Sequence, residues 1–419
     1  MRRGSNCGRG YGSRYSGGGR GKAGVILGVV FVLALLGAAV WLIRSMFCTP
    51  APAPTAVVLT SGPSPAATPT PTPEPSAPEF PEPPESLRGI YISGPVAGDP
   101  YMDALLELID STELNAVVID VKNDEGNLTY RPDGGTAVEI GACVRYIRDL
   151  PGLVARLKEH GVYTIARIAA FKDPVLAGAR PELALKKADG SAVDEGGGLA
   201  WVNPYEQAVW EYLIEVALGA AEAGFDEVQF DYVRFPTGKG VRDADYGAAA
   251  GEMSREDAVL AFLEQAGQAL HRRGVWLAAD VFGTVITSRT DGELIGQDYA
   301  RMGGVADFLC PMVYPSHYAG GAFGLEVPDR EPYQTVLSAL EKSRAVLDMS
   351  GEEDRPGVRV WLQDFTATWV QGHITYGGEE LRAQIQAVYD AGYTDWILWN
   401  AKNSYTADGL LGAAEGEAD

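Results

Sequence analysis

Histidine and cysteine are scarce in this 419-residue chain, four of each. So few cysteines over such a length exclude a disulfide scaffold. The histidines show no H-E-x-x-H or paired spacing, so a histidine-bound metal centre, including that of a metal-dependent deacetylase, has no ligand set. His160 and His271 fall at the ends of expected helices, shortly before glycine, where they read as C-terminal helix residues; His317 and His373 fall in loops. G-x-S-x-G, phosphate-loop and G-x-G-x-x-G patterns are also missing, and no cofactor is expected. Basic side chains are outnumbered 34 to 56, for a net charge of −22. That balance excludes nucleic acid as a partner, because phosphate binding needs a basic face.

The few basic residues are unevenly placed. Residues 1–23 carry Arg2, Arg3, Arg9, Arg14, Arg20 and Lys22 without an acidic residue, in a Gly/Ser-rich background. Residues 24–43, GVILGVVFVLALLGAAVWLI, carry no charge and are long enough to cross about 30 Å of hydrocarbon as one helix. A basic flank is retained in the cytoplasm, so this reads as a single-pass anchor with everything after it outside. The run exceeds the ~7–15 apolar residues of a cleaved signal. Residues 44–86 then form a linker rich in proline, with PAPAP and TPTPTPEP runs, stiff and extended at about 3.1 Å per residue.

From residue 87 to 419 the pattern is that of one domain. Short β-branched runs alternate with amphipathic helical stretches, the signature of a parallel sheet with crossover helices. Strands are expected at 88–94, 116–124, 163–171, 227–235, 275–283, 307–314, 359–365 and 396–403. Helices are expected at 101–113, 151–160, 205–223, 254–273, 333–348 and 379–391, with a short fifth crossover and little chain for a last helix. Eight such units in about 330 residues predict an α/β fold, a (β/α)8 TIM barrel. An open doubly wound sheet would carry a glycine-rich turn after its first strand, and YISGPVAGDP is not one.

Chemistry in such barrels sits at the carboxyl ends of the strands. There the sequence places Asp120, Lys122 and Asp124, then Arg167, then Asp231 and Arg234, then Asp280, Tyr314, Gln363 with Asp364, and Trp399 with Asn400. Alternation puts Asp231 on a face with Gln229 and Glu227, and Asp280 on a face with Ala278 and Trp276. A carboxylate among apolar strand residues is costly to bury unless paired or used. Two carboxylates from different strands can serve as general acid and as nucleophile or base at a glycosidic bond. Asp231 and Asp280 are the catalytic candidates. Asp120, Lys122, Arg167, Arg234, Tyr314, Asp364, Trp399 and Asn400 are candidates for binding substrate. Ten aromatics near the same ends (Trp201, Tyr232, Phe235, Phe282, Tyr314, Tyr318, Trp361, Phe365, Trp369, Trp399) could stack on sugar rings, about a third of them facing a cleft. Cys310, beside Pro311 in mid-strand, reads as a small buried hydrophobe.

The run AGFDEVQFDYVRFP, with VVIDVKND before it and AADVFG, LCPMVYPSHY, WLQDF and WILWNA after it, resembles the bacterial putative glycosyl hydrolase domain family. The resemblance spans residues 87 to about 405, with Asp231-Tyr232-Val233-Arg234-Phe235-Pro236 its most specific part. Distant likeness to barrel glycosidases of the α-amylase and α-galactosidase type implies Asp231 as nucleophile or transition-state stabiliser. It implies Asp280 as acid/base, where amylase-type enzymes carry Glu; Asp364 and Glu227 are the substitutes. Gln363-Asp364 stands where amylases have His-Asp. The expected function is a membrane-anchored, extracytoplasmic hydrolase of a polysaccharide. The alternative is a catalytically silent barrel that binds glycan. Convergence of Asp231 and Asp280 in one cleft, or neutralisation of each by arginine, separates the two.

Overall fold

Eight parallel strands close on themselves in the computed structural model, which describes residues 78–195, 198–238, 241, 243–350 and 355–413. They are β1 (Arg88–Ile92), β2 (Ala116–Lys122), β3 (Tyr163–Ala169), β4 (Glu227–Asp231), β5 (Trp276–Phe282), β6 (Phe308–Met312), β7 (Gly357–Gln363) and β8 (Asp395–Trp399). Each pairs with its sequence neighbours and β8 returns to β1, so no edge is left open. The principal helices are α1 (Tyr101–Ser111), α2 (Leu150–Glu159), α3 (Gln207–Glu222), α4 (Arg255–His271), α5 (Tyr299–Gly303), α6 (Pro332–Ser350) and α7 (Gly378–Asp390). The short fifth crossover is built from Arg289–Ile295 and α5, and the described chain after β8 contains only a 3-10 turn, Ala407–Gly409. The α/β barrel expected from the sequence is therefore present, with strand ends shifted by a few residues.

Two apolar layers explain the near-continuous hydrophobic strands. Residues such as Ile119, Ile168, Val228, Leu277 and Leu362 face outward onto the helices, while Val118, Ile165, Ala278, Cys310 and Ile397 fill the barrel interior. Cys310 is a fully buried part of that interior. The amino-terminal end of the interior is closed by charge: fully buried Arg359 pairs with fully buried Glu227, and Tyr163 donates to the same Glu227 oxygen at 3.2 Å. Beneath that end the chain entering the barrel packs against it. Phe80 lies 4.4 Å from the Trp276 ring, and the Trp276 indole donates to the Pro81 carbonyl at 2.8 Å.

No described helix is long and apolar enough to cross a membrane. The apolar run 24–43, the basic stretch 1–23 and the linker up to residue 77 lie outside the described residues.

Candidate active site

At the opposite end, where the strands finish, the interior opens into a cavity of 410 Å³. Its walls include Asp231, the last residue of β4, Asp280 and Phe282 of β5, Met312 of β6, Trp361 of β7 and Trp399 of β8. Alternation has brought both aspartates inward, as expected: Asp231 two residues above Gln229, Asp280 two above Ala278. Gly283 follows β5 at the wall because nothing larger fits; a Cβ there would lie 2.4 Å from the Tyr318 hydroxyl and 2.6 Å from the Met312 carbonyl.

A polar layer lies across the barrel at this height. Arg167, from β3, donates to Asp231 Oδ2 through Nε (3.1 Å) and Nη2 (2.5 Å), and through Nη1 to Asp120 Oδ1 (2.5 Å). Asp120 also accepts the Tyr91 hydroxyl at 2.6 Å. The second oxygen of Asp231 accepts the backbone N–H of Tyr232 at 2.6 Å. Tyr232 takes φ of +50°, a conformation costly for a side chain of its size, directly after the strand ends. Asp280 accepts the Trp361 indole N–H at 2.6 Å. The Arg167 guanidinium lies 5.7 Å from both the Tyr91 and Trp399 ring centres.

The electrostatics separate the carboxylates. Burial, and after it the negative charge of Asp231, push the Asp280 carboxyl well above the ordinary range, and Arg167 and Trp361 offset this only in part. Burial also raises Asp120, opposed by Arg167 and Tyr91. Arg167 is one cation shared by two carboxylates, in a layer that adjoins a carboxyl pushed toward its protonated form.

The rim has its own ion pair. Arg234 holds Glu195 in a two-pronged contact (2.8 and 3.1 Å), and its guanidinium lies 4.8 Å from the Trp201 ring centre and 4.7 Å from that of Phe282. Burial pushes the Glu195 carboxyl up, but the bonds from Arg234 and Thr237 outweigh it and hold it below its usual range.

Asp231, Asp280, Arg167, Arg234, Tyr314 and Trp399 thus come together at one cavity, with Asp120 directly behind Arg167. Three of the sequence candidates lie elsewhere. Lys122 is fully buried in the wall, paired with Asp173 at 3.0 Å and donating to the Ala169 carbonyl, so it is corrected from a substrate contact to a structural ion pair. Asp364 turns away to accept Thr406 through both oxygens, and the Asn400 amide ties the carbonyls of Asp364 and Ser404. Both hold the loop after β8. The substitute acids fall with them: Glu227 is sealed against Arg359 at the far end of the barrel, and Asp364 is committed to Thr406. Of the ten aromatics singled out, six line the cavity (Tyr232, Phe282, Tyr314, Tyr318, Trp361, Trp399), more than the third expected. Tyr91 and Glu195 were missed. Tyr91 could have been found by alternation inside β1; Glu195 sits in a long loop with no periodic signal. Among the described residues no group of three or more His, Cys, Asp or Glu side chains is arranged to hold a metal ion.

Residues 89–405 match the family model described as a putative glycosyl hydrolase domain. The chain belongs to that family. It shares 34% identity with a hypothetical protein from Ruminiclostridium thermocellum, over 46% of this chain and 97% of that one (TM-score 0.42). The glycoside hydrolase domain of PgaB (BpsB) from Bordetella bronchiseptica is 15% identical, over 75% of this chain and 94% of that one, with a TM-score of 0.56. An α-galactosidase from Thermus thermophilus is 14% identical, over 81% of this chain and 65% of that one (TM-score 0.47). No curated protein matches significantly. The PgaB likeness is one of fold.

Proposed function

We propose that this member of the family hydrolyses a polysaccharide, with Asp280 as the general acid and Asp231 as the carboxylate that meets positive charge at the anomeric carbon. The observation that carries the reading is the pair of contrasting carboxyls in one cavity: Asp280, bound to an indole and pushed above its usual range by burial and Asp231, and Asp231, bound to an arginine shared with Asp120. In the reaction the Asp280 proton passes to the glycosidic oxygen as the bond to the anomeric carbon breaks. Water then supplies hydroxide to that carbon, and its remaining proton restores Asp280. Arg167 and the Tyr232 N–H fix the Asp231 carboxylate, so little reorganisation is needed as charge develops.

A silent glycan-binding barrel would have each aspartate neutralised by its own arginine. Asp231 does have an arginine, yet that arginine also serves Asp120, and Asp280 faces an indole. The geometry therefore supports chemistry over binding alone. The test is hydrolysis of wall and capsular polysaccharides by wild type, Asp231→Asn and Asp280→Asn. Binding by all three proteins without hydrolysis by wild type would favour the silent barrel. In this reading residues 24–43 anchor the chain and the barrel works outside the membrane.

A further inference from the structure

We propose that the cavity continues outward into a glycan-binding subsite whose platform is Trp369, an inference that rests on the hydrolase reading above. Trp369 is 66% exposed, unusual for so large an apolar side chain. An isolated surface tryptophan needs no explanation. This one is held: Phe365 lies beneath it at 5.9 Å with rings 23° from parallel, and His317 meets it edge-on at 6.5 Å. Both supports lead back to one cavity residue, since Tyr314 lies 5.2 Å from His317 and 6.2 Å from Phe365. Tyr314 and His317 themselves line the cavity. The rings therefore form a connected strip from the cavity wall to solvent.

One buried amide holds the two loops that carry the strip. Gln363, at the end of β7, accepts the Ser316 N–H at 3.1 Å and donates to the Phe365 carbonyl at 3.0 Å and to Asp329 Oδ1 at 3.0 Å. The residues next to His317 and bearing Phe365 are thus fastened to one side chain. The turn beyond is closed by Thr368 N–H to Thr366 and Val370 N–H to Ala367. A pre-positioned ring loses little entropy on binding, which is the economy expected of a recognition platform.

The occupant is a further pyranose unit of the same glycan. A cavity of 410 Å³ receives only a short segment of a polymer, so adjoining units must cross the mouth. A flat aromatic face with a polar rim suits a sugar ring whose equatorial hydroxyls leave its C–H face bare. The subsite thus selects polymers over small glycosides and favours unbranched stretches with such a face.

The test uses the purified full chain in affinity electrophoresis and reducing-sugar assays with xylan, galactomannan, carboxymethylcellulose, glycol chitin and cell-wall peptidoglycan. Wild type should be retarded by, and hydrolyse, at least one polymer. Trp369→Ala should weaken that binding about tenfold and raise KM for the polymer more than it lowers kcat, while Trp369→Phe recovers most of the affinity. Hydrolysis by wild type with equal retardation of Trp369→Ala overturns the subsite and leaves the hydrolase reading standing. Retardation lost in Trp369→Ala, without hydrolysis by wild type, keeps the subsite and overturns the hydrolase. Neither binding nor cleavage of any polymer overturns both. Self-association of wild type that Trp369→Ala abolishes assigns the ring to a second copy and also overturns the subsite.

Discussion

Arg167 spends two of its nitrogens on a single oxygen of Asp231, Oδ2, at 3.1 and 2.5 Å. Its third contact, to Asp120, makes the guanidinium the only positive charge in direct contact with either carboxylate among the described residues. Arg167→Met keeps the bulk and leaves two buried carboxylates uncompensated. A loss of about 3–5 kcal/mol in unfolding free energy is expected, measured by urea denaturation. A change near zero would mean that water enters the layer and replaces the arginine.

Asp231→Asn removes the charge and keeps the shape. Hydrolysis should fall by more than about a hundredfold while glycan affinity changes little. The sequence alone suggests that this aspartate costs stability, as an isolated strand-end carboxylate would. Its pairing with Arg167 reverses that expectation. Asp231→Asn should destabilise by about 1–3 kcal/mol, limited because Arg167 retains Asp120. Full activity in this variant would remove Asp231 from the mechanism.

The raised Asp280 carboxyl sets a pH dependence in two quantities. As general acid it must hold a proton, so kcat/KM should decline as pH rises through its native pKa. For stability, the unfolded state releases this proton near about pH 3.9 and the native state only at higher pH. Stability from this group is therefore full below the unfolded value and is lost as pH rises through the native one. Asp280→Asn accepts the Trp361 N–H without that loss. Its Tm relative to wild type should improve from pH 4 to pH 7, while activity falls by about 100- to 10,000-fold, most severely for poor leaving groups. A Tm difference that is flat in pH would contradict the raised pKa.

Protease added to intact cells should release a folded barrel by cutting the linker. Because Phe80 and Pro81 are engaged with Trp276, the cut is expected before residue 78 rather than throughout 44–86. Mass spectrometry of the released fragment locates it. Protection until lysis, in cells stripped of wall and capsule, would place the barrel in the cytoplasm.

Most strands were legible because they are buried on both faces and rich in apolar, β-branched residues, as in AVVIDVK and YTIARIA, and because period-two alternation assigns Asp231 and Asp280 to the interior. Lys122 shows where that rule breaks. Two residues after Asp120 it should face inward beside it, but the β2–β3 register slips between Asp120 and Lys122, and the side chain turns to Asp173 instead. Asp364 and Asn400 follow the last strand residues, where alternation no longer applies and loop hydrogen bonds decide direction. Glu195 reaches the cavity from a loop between β3 and α3 through Arg234, a tertiary contact that a separation of 39 positions hides from any local pattern.

The docking of Phe80 and Pro81 against Trp276 fixes which pole of the barrel the incoming chain approaches. The chain enters at the amino-terminal end of the strands, and the cavity opens at the other. The described segment ahead of β1 therefore covers the base of the barrel and contributes nothing to the lining of the mouth. Removing residues 78–86 would uncover Trp276 at the base and leave every residue that lines the cavity in place.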